Sequence, residues 1–183
     1  MNMREILARL LGTENYDRRA ERRIKKAIEL YHRGGKLNRI RALRLHNRNR
    51  RDYCCCFPPR ITVGKGLYIA HAHGIHVGKT AEIGDWCRIY PNAMIVASVV
   101  GDSELRAAGE KRWHPKIGSN CLIGAGCIIS GRIELGDDVT VAAGAVVTKD
   151  VPSHSVVKNT NEIRPKRPEE YNDFSTDPSP EEG

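Results

Sequence analysis

The chain has 183 residues, enough for one domain with a packed core plus appendages. Only 5% of the residues are aromatic, so aliphatic side chains, alanine and cysteine must form most of that core. The net charge of +8 is uneven, because residues 1–51 carry 16 Lys/Arg and 5 Asp/Glu while the rest of the chain sums to −3. No apolar run reaches membrane-spanning length and the N-terminus lacks a secretory signal, so we expect a cytoplasmic protein.

The first part of the chain has the spacing of amphipathic helices. Apolar residues at helical intervals begin at residues 7–11, continue through residues 24–31 and resume after the glycine pair at 34–35. They predict two or three helices that end near Asn47, and the proline pair at 58–59 then excludes helix. We therefore assign residues 1–52 to a basic α-helical segment.

A different repeat follows the prolines, in which an aliphatic residue returns every sixth position. A helix favours spacings of three and four, and a half-buried strand alternates every two. Short strands joined by regularly recurring turns explain a period of six, as in a parallel β-helix whose coils have three flat faces. The predicted inward-facing residues are Val63, Ile69, Val77, Ile83, Ile89, Ile95, Ile117, Ile123, Ile129, Leu135, Val141 and Val147. Three cysteines recur at equivalent positions of the repeat and are expected to be reduced and buried.

Two interruptions break the repeat, and both carry histidine. Two extra residues enter around the sequence AHAHG at residues 70–74, and a polar loop is predicted at residues 101–115. Insertions in a solenoid map to loops, often on the working face. Residues 158–183 are rich in proline and acidic residues and are predicted to form a disordered tail.

Three segments resemble one known family: GKGLYIAHAHGIHVGKTAEIG, the loop exit RWHPKIG, and CLIGAGCIISGRIELGDDVTVAAGAVVTKDVP. Residues 53–157 are similar to the serine acetyltransferase branch of the hexapeptide-repeat acyltransferases. The resemblance implies a mainly β fold, a left-handed parallel β-helix, after the small helical segment. It also implies a homotrimer and acetyl-CoA as the acetyl donor. Residues 53–157, with the protruding loop 101–115, form the predicted acetyltransferase domain.

The resemblance also places the catalytic residues, His71 as general base and His114 as a second histidine that helps hold the acceptor. A neutral imidazole can take a hydroxyl proton at cellular pH and return it to the leaving thiolate. The residues at cofactor-contacting positions are Ala125, Gly126, Ala143, Gly144, Thr148 and Lys149. The cluster His71, His73 and His76 has no carboxylate or cysteine at ligand spacing, so we expect no metal.

The acceptor prediction depends on departures from the family pattern. Ala70 and Cys56 stand where serine acetyltransferases have aspartates, and a buried ammonium without a carboxylate partner is costly. Trp113 replaces an arginine and offers a flat face of the kind that stacks on sugars. Arg112, which is adjacent in the sequence, and His73 are the other predicted substrate-binding residues. We therefore predict transfer to a saccharide hydroxyl in polysaccharide, capsule or lipopolysaccharide biosynthesis. The alternative is serine O-acetylation in cysteine biosynthesis.

Two further functions compete with catalysis. The missing aspartates are also consistent with a catalytically inactive hexapeptide scaffold. The basic residues 1–51 could bind nucleic acid or an anionic membrane surface. Nucleic acid is disfavoured, because aromatic residues are nearly absent there and no recognition motif appears. The commonest meaning of such a charge run is a solvated helical face.

Overall fold

The computed structural model describes residues 16–98, 109 and 112–159. Two antiparallel-paired helices come first, α1 (Tyr16–Arg33) and α2 (Lys36–Tyr53). α2 runs past the predicted end near Asn47 because no proline or glycine interrupts it. It ends at Cys54, whose φ of 50° is left-handed. The apolar repeat at residues 7–11 lies outside the described part of the chain.

Short strands form the rest of the described chain. They are β1 (Thr62–Val63), β2 (Tyr68–Ile69), β3 (His76–Val77), β4 (Glu82–Ile83), β5 (Arg88–Ile89), β6 (Met94–Val96), β7 (Lys116–Ile117), β8 (Leu122–Ile123), β9 (Ile128–Ser130), β10 (Glu134–Leu135), β11 (Thr140–Val141), β12 (Val146–Val147) and β13 (Val156–Val157). Each pairs in parallel with a strand one coil away. Face 1 contains β1, β4, β7 and β10; face 2 contains β2, β5, β8, β11 and β13; face 3 contains β3, β6, β9 and β12.

The aliphatic residue of each repeat points into the coil, as the six-residue period predicts. On face 2, for example, Ile69 pairs with Ile89, Ile89 with Ile123, and Ile123 with Val141, and all four are buried. Of the twelve predicted inward residues only Val63, in the first coil, is partly exposed. The prediction of a parallel β-helix is therefore confirmed. Ala20 and Ile24 of α1 belong to the same buried cluster, so the helices close the first coil.

The outward residues give the three faces different chemistry. Face 1 presents Thr62, Glu82, Lys116 and Glu134. Face 2 presents Tyr68, Arg88, Leu122, Thr140 and Val156. Face 3, extended by a bridge from Cys56, presents Cys56, His76, Met94, Ile128 and Val146. Face 3 thus carries no Asp, Glu, Lys or Arg in this column, and three of its five residues are apolar.

The three cysteines of the repeat are buried and free, as predicted. Cys55, Cys87, Cys121 and Cys127 are buried and unpaired, whereas Cys54 is exposed and Cys56 is half-buried; no disulfide joins any of the six, all of which are described. Burial raises the pKa of Cys55 to about 12 and that of Cys127 to about 11, so both stay thiols. Within the described residues, neither helix is long and apolar enough to cross a membrane.

Candidate functional site

The turns between faces 2 and 3 form one long edge of the coil, which we call the His71 edge. His71 lies in the turn between β2 and β3, exposed, with a left-handed φ of 47°. The two extra residues lengthen this turn, and His73 N–H donates to the His71 carbonyl over 2.6 Å. The insertion therefore lifts His71 out of the regular coil.

Backbone hydrogen bonds continue this edge from coil to coil. Asn92 N–H donates to the His73 carbonyl (2.8 Å), Gly126 N–H to the Pro91 carbonyl (2.9 Å) and Gly144 N–H to the Ala125 carbonyl (2.8 Å). Four of the predicted cofactor residues, Ala125, Gly126, Ala143 and Gly144, thus lie on the same edge as His71. Gly126 has a φ of 65° and open space where a side chain would stand, so the edge is left clear there.

His73 lies beside His71 and is held by the helical segment. Its ring packs edge-on against Tyr53, with 6.2 Å between the ring centroids, and Gly74 N–H donates to the Tyr53 carbonyl over 3.2 Å. Tyr53 is the last residue of α2 and is buried. The end of α2 therefore fixes the histidine turn, a link that sequence spacing could not predict.

The turns between faces 3 and 1 form the second candidate edge, the His114 edge. His114 is buried, and its Nδ1 lies 2.7 Å from Thr80 Oγ1, which also accepts a hydrogen bond from Trp113 N–H over 3.2 Å. The ring lies flat over Gly78, where a Cβ would come within 1.6 Å of His114 Cδ2. Gly78 and Thr80 therefore position His114. The sequence prediction missed both, because they meet it from about 34 residues away.

Arg112 and Trp113 are engaged by the protein itself. Arg112 Nη1 donates to the carbonyls of His114 (3.1 Å) and Ile133 (3.3 Å), and Nη2 pairs with Glu134 Oε1 at 2.6 Å. Lys79 Nζ lies 5.5 Å from the centroid of the Trp113 ring. Arg112 thus braces the loop exit, and part of the Trp113 surface predicted to stack on a sugar is occupied by a cation.

The predicted cofactor residues divide between the two edges. Thr148 and Lys149 follow β12, are exposed, and lie on the His114 edge rather than the His71 edge. Face 3 separates the two edges within one chain. A single chain therefore presents His71 and the open turn at Gly126 on one edge, and His114, Thr148 and Lys149 on the other.

No carboxylate stands at the two positions where the family pattern has one. Ala70 is buried, and Cys56 is held in the bridge to face 3, with its N–H donating to the Ile75 carbonyl over 2.8 Å. Glu21, an acidic residue of α1, pairs with Lys25 at 2.5 Å. Across residues 16–98 and 112–159, no group of three His, Cys, Asp or Glu could hold a metal ion.

Comparison with known proteins adds family information to this geometry. Residues 114–149 match the family described as bacterial transferase hexapeptide (six repeats). Serine acetyltransferase 4 of Arabidopsis thaliana is 37% identical over 131 residues, which cover 72% of this chain and 34% of that protein. The Helicobacter pylori serine acetyltransferase is 38% identical over 97 residues, or 53% and 52% of the two chains. The chain spans about a third to a half of the length of these relatives.

Among solved structures, too, the chain is similar to serine acetyltransferases. The Brucella abortus serine acetyltransferase in complex with coenzyme A superposes with a TM-score of 0.63 at 30% identity, covering 77% of this chain and 52% of that one. The Neisseria gonorrhoeae serine acetyltransferase in complex with serine gives 0.60 at 31% identity, covering 78% and 54%. These similarities extend beyond the matched repeats into the first coils.

Proposed function

We propose that this chain, which carries a hexapeptide-repeat domain of the serine acetyltransferase type, is an acetyl-CoA-dependent O-acetyltransferase. One observation carries the proposal. His71 lies exposed in the first turn of the edge that continues through residues 91–92, 125–126 and 143–144, and no side chain stands over Gly126. An exposed imidazole on the same edge as an open turn is suited to a donor that lies along the edge with its thioester near the ring.

His71 is the proposed general base. Its imidazole takes the proton of the acceptor hydroxyl, whose oxygen attacks the thioester carbonyl carbon. The carbon–sulfur bond then breaks, and the proton returns to the departing coenzyme A thiolate. The products are an O-acetyl ester and coenzyme A, so atoms and charge balance. No metal is needed in this scheme, and that expectation stays a prediction.

The other predicted site residues are proposed to contact different parts of acetyl-CoA and the acceptor. Ala125, Gly126, Ala143 and Gly144 present backbone and small side chains to a pantetheine arm on the His71 edge. Thr148 and Lys149, on the His114 edge of a neighbouring copy in the assembly proposed below, offer a hydroxyl and an ammonium to phosphate oxygens. His114, with its ring position fixed by Thr80 and Gly78, is proposed to hold the acceptor.

L-Serine is the first candidate acceptor. The relatives named above are serine acetyltransferases, and one structural neighbour was solved with serine. The predicted saccharide acceptor has no such support and becomes the second candidate. The saccharide remains a candidate because no carboxylate stands at Ala70 or Cys56, and the ammonium group of serine needs a carboxylate partner.

The two acceptors are distinguished by one product assay. Purified protein is incubated with acetyl-CoA and, separately, L-serine, nucleotide sugars and oligosaccharides, and products are identified by mass spectrometry. O-acetylserine as the main product establishes the first candidate, whereas an acetylated sugar as the main product establishes the second. Donor turnover with neither would point to another hydroxyl acceptor. Absence of any acetyl transfer or donor hydrolysis would favour the inactive scaffold.

Assembly is part of the proposal, because the His71 and His114 edges flank face 3 on opposite sides. A ring of chains with face 3 turned inward would bring the His71 edge of one chain beside the His114 edge of the next. We propose a trimer with left-handed coils, the number and hand that the family resemblance implies.

A further inference from the structure

The outward surface of α2 presents aliphatic side chains to water. Leu37, Ile40 and Leu43 are 71%, 46% and 48% exposed, while Ala42, Asn49 and Tyr53 on the other side of the helix are buried. A helix at the surface of a domain ordinarily places its aliphatic residues inward. These three are aliphatic residues on the side that faces away from α1 and the coil, and the proposed acetyl transfer does not use them.

Cationic side chains alternate with these aliphatic residues. Arg41, Arg44, Arg48 and Arg51 follow one another at helical spacing and line a groove of about 560 Å³ between the helices, together with Leu30, Leu45 and Asn47. No acidic residue lines this groove among the residues described. The basic residues of α2 are Lys36, Arg39, Arg41, Arg44, Arg48, Arg50 and Arg51.

The acidic residue of α2 offsets one of the groove arginines, Arg51, and leaves Arg41, Arg44 and Arg48. Asp52 pairs with Arg23 Nη1 at 2.7 Å and with Arg51 Nε at 3.1 Å. The hydrogen bond from Arg23, with a smaller contribution from Arg51, holds the pKa of Asp52 below its usual range. Its carboxylate is therefore already neutralised at the end of the helix that is farthest from Leu37.

We propose that the outward surface of α2, defined by Leu37, Ile40, Leu43 and the groove arginines Arg41, Arg44 and Arg48, binds an anionic phospholipid surface. Guanidinium groups pair with lipid phosphates, and the aliphatic side chains enter the headgroup boundary. A second copy of the chain fits poorly, because a two-fold contact would bring the same arginines together. A nucleic acid would use the arginines but leave three aliphatic side chains in water.

Co-sedimentation of the full chain with lipid vesicles tests this proposal. The vesicles are pure phosphatidylcholine or phosphatidylcholine mixed with phosphatidylglycerol at about two to one. We expect binding to the mixed vesicles that weakens as salt is raised. Arg41→Gln/Arg44→Gln/Arg48→Gln should weaken it about a hundredfold, since each basic residue near an anionic surface contributes about fivefold in affinity. Leu37→Gln/Ile40→Gln/Leu43→Gln should weaken it about tenfold or more with the charge unchanged.

The matched control removes three exposed cations from the coil instead, as Arg60→Gln/Lys65→Gln/Arg88→Gln, and should bind the mixed vesicles nearly as the unmodified chain does. Circular dichroism checks that each variant is folded. Equal loss in the control and the groove variant would mean that only net charge matters and would overturn the proposal. So would binding of duplex DNA at lower protein concentration than vesicles, or an aliphatic variant with undiminished vesicle binding. These readouts do not depend on acetyl transfer.

Discussion

His71 and His154 are two exposed histidines in left-handed turns, with φ of 47° and 60°. They differ in position, since His154 lies on the edge between faces 1 and 2 and pairs with Asp138 at 3.0 Å. An exposed histidine in a turn is therefore not in itself a catalytic signal. The location of His71 on the same edge as the turns at residues 125–126 and 143–144 distinguishes the two.

The first prediction uses this pair. His71→Ala should lower kcat by about 10² to 10⁴, the usual effect of removing a general base, with little change in the KM for acetyl-CoA. His154→Ala is the control and should keep near-normal turnover. Steady-state release of coenzyme A thiol measures both. If the two variants lose activity equally, His71 is not the base.

The second prediction concerns Thr80, which acts through His114. The Thr80 hydroxyl either donates to an unprotonated His114 Nδ1 or accepts from a protonated one. Thr80→Val removes this hydrogen bond in either direction while keeping the side-chain volume. We expect about a tenfold loss in kcat/KM for the acceptor, a change in the pH profile of kcat/KM, and an unchanged KM for acetyl-CoA. Thr80→Ser should restore most of the loss. A valine variant with normal acceptor kinetics and pH profile would show that Thr80 has only a structural role.

At the scale of the element, each strand places one residue inside the coil and its neighbour outside. Ile123 is fully buried, whereas Leu122 beside it faces outward and is half-exposed. The two differ in sequence by one position and not in hydrophobicity. Their environments come from the two-residue period of a strand.

The third prediction follows from this alternation. Ile123→Ala should lower the free energy of unfolding by about 2 to 5 kcal/mol, because a close-packed stack of aliphatic residues cannot collapse onto the cavity. Leu122→Ala should lower it by less than about half as much. Urea unfolding followed by circular dichroism measures the difference. Similar losses for both would contradict the assigned inward and outward directions.

The fourth prediction concerns pH and α2. His46 Nδ1–H donates to the Phe57 carbonyl over 3.0 Å, and burial lowers the pKa of His46 from its ordinary value of 6.5, although that hydrogen bond acts in the opposite direction. As pH falls below about 6.5 the unfolded chain binds the proton first, so stability declines until the folded-state pKa is passed. His46→Gln should flatten this decline in urea midpoints measured between neutral and mildly acidic pH. An identical slope in the variant would assign the decline to other groups.

At the scale of the whole molecule, the three faces have unequal outer surfaces. Face 3 presents Met94, Ile128 and Val146 in one column, and face 1 presents charged residues in the equivalent column. Face 2 also ends on an exposed aliphatic, Val156, at 61% exposure against 62% for Val146. Exposure alone therefore does not select a face for the proposed assembly; the column of apolar neighbours on face 3 is what supports the choice of that face.

The fifth prediction tests the proposed assembly. Met94→Lys/Val146→Lys should convert the trimer to a monomer, because packed copies would bury unpaired ammonium groups. Acetyl transfer should fall in parallel if the two edges complete one site. Val156→Lys on face 2 is the matched control and should leave the trimer intact. Light scattering coupled to size exclusion measures both; a monomer in the unmodified chain would contradict the assembly directly.

The sequence predicts those features of the fold that residues close together in the chain determine. Ile123 and Ile129 are six residues apart, and a repeat of that length specifies the faces, the inward residues and the parallel pairing without any other information. The end of α2 was predicted about six residues too early, because nothing in the sequence after Asn47 breaks a helix and propensity alone sets no boundary there. The assigned domain limits at residues 52, 53, 157 and 158 stay predictions.

The candidate site divides in the same way. The sequence by itself determined the coil, the two histidine-bearing interruptions and the similarity that makes His71 and His114 candidates. Only the tertiary structure decided that these histidines lie on different edges of one chain, that Gly78 and Thr80 position His114, and that Arg112 is bound to Glu134. The physical reason is distance along the chain. The repeat is visible among residues six positions apart, whereas each contact at these edges joins residues that only the winding of the coil brings together.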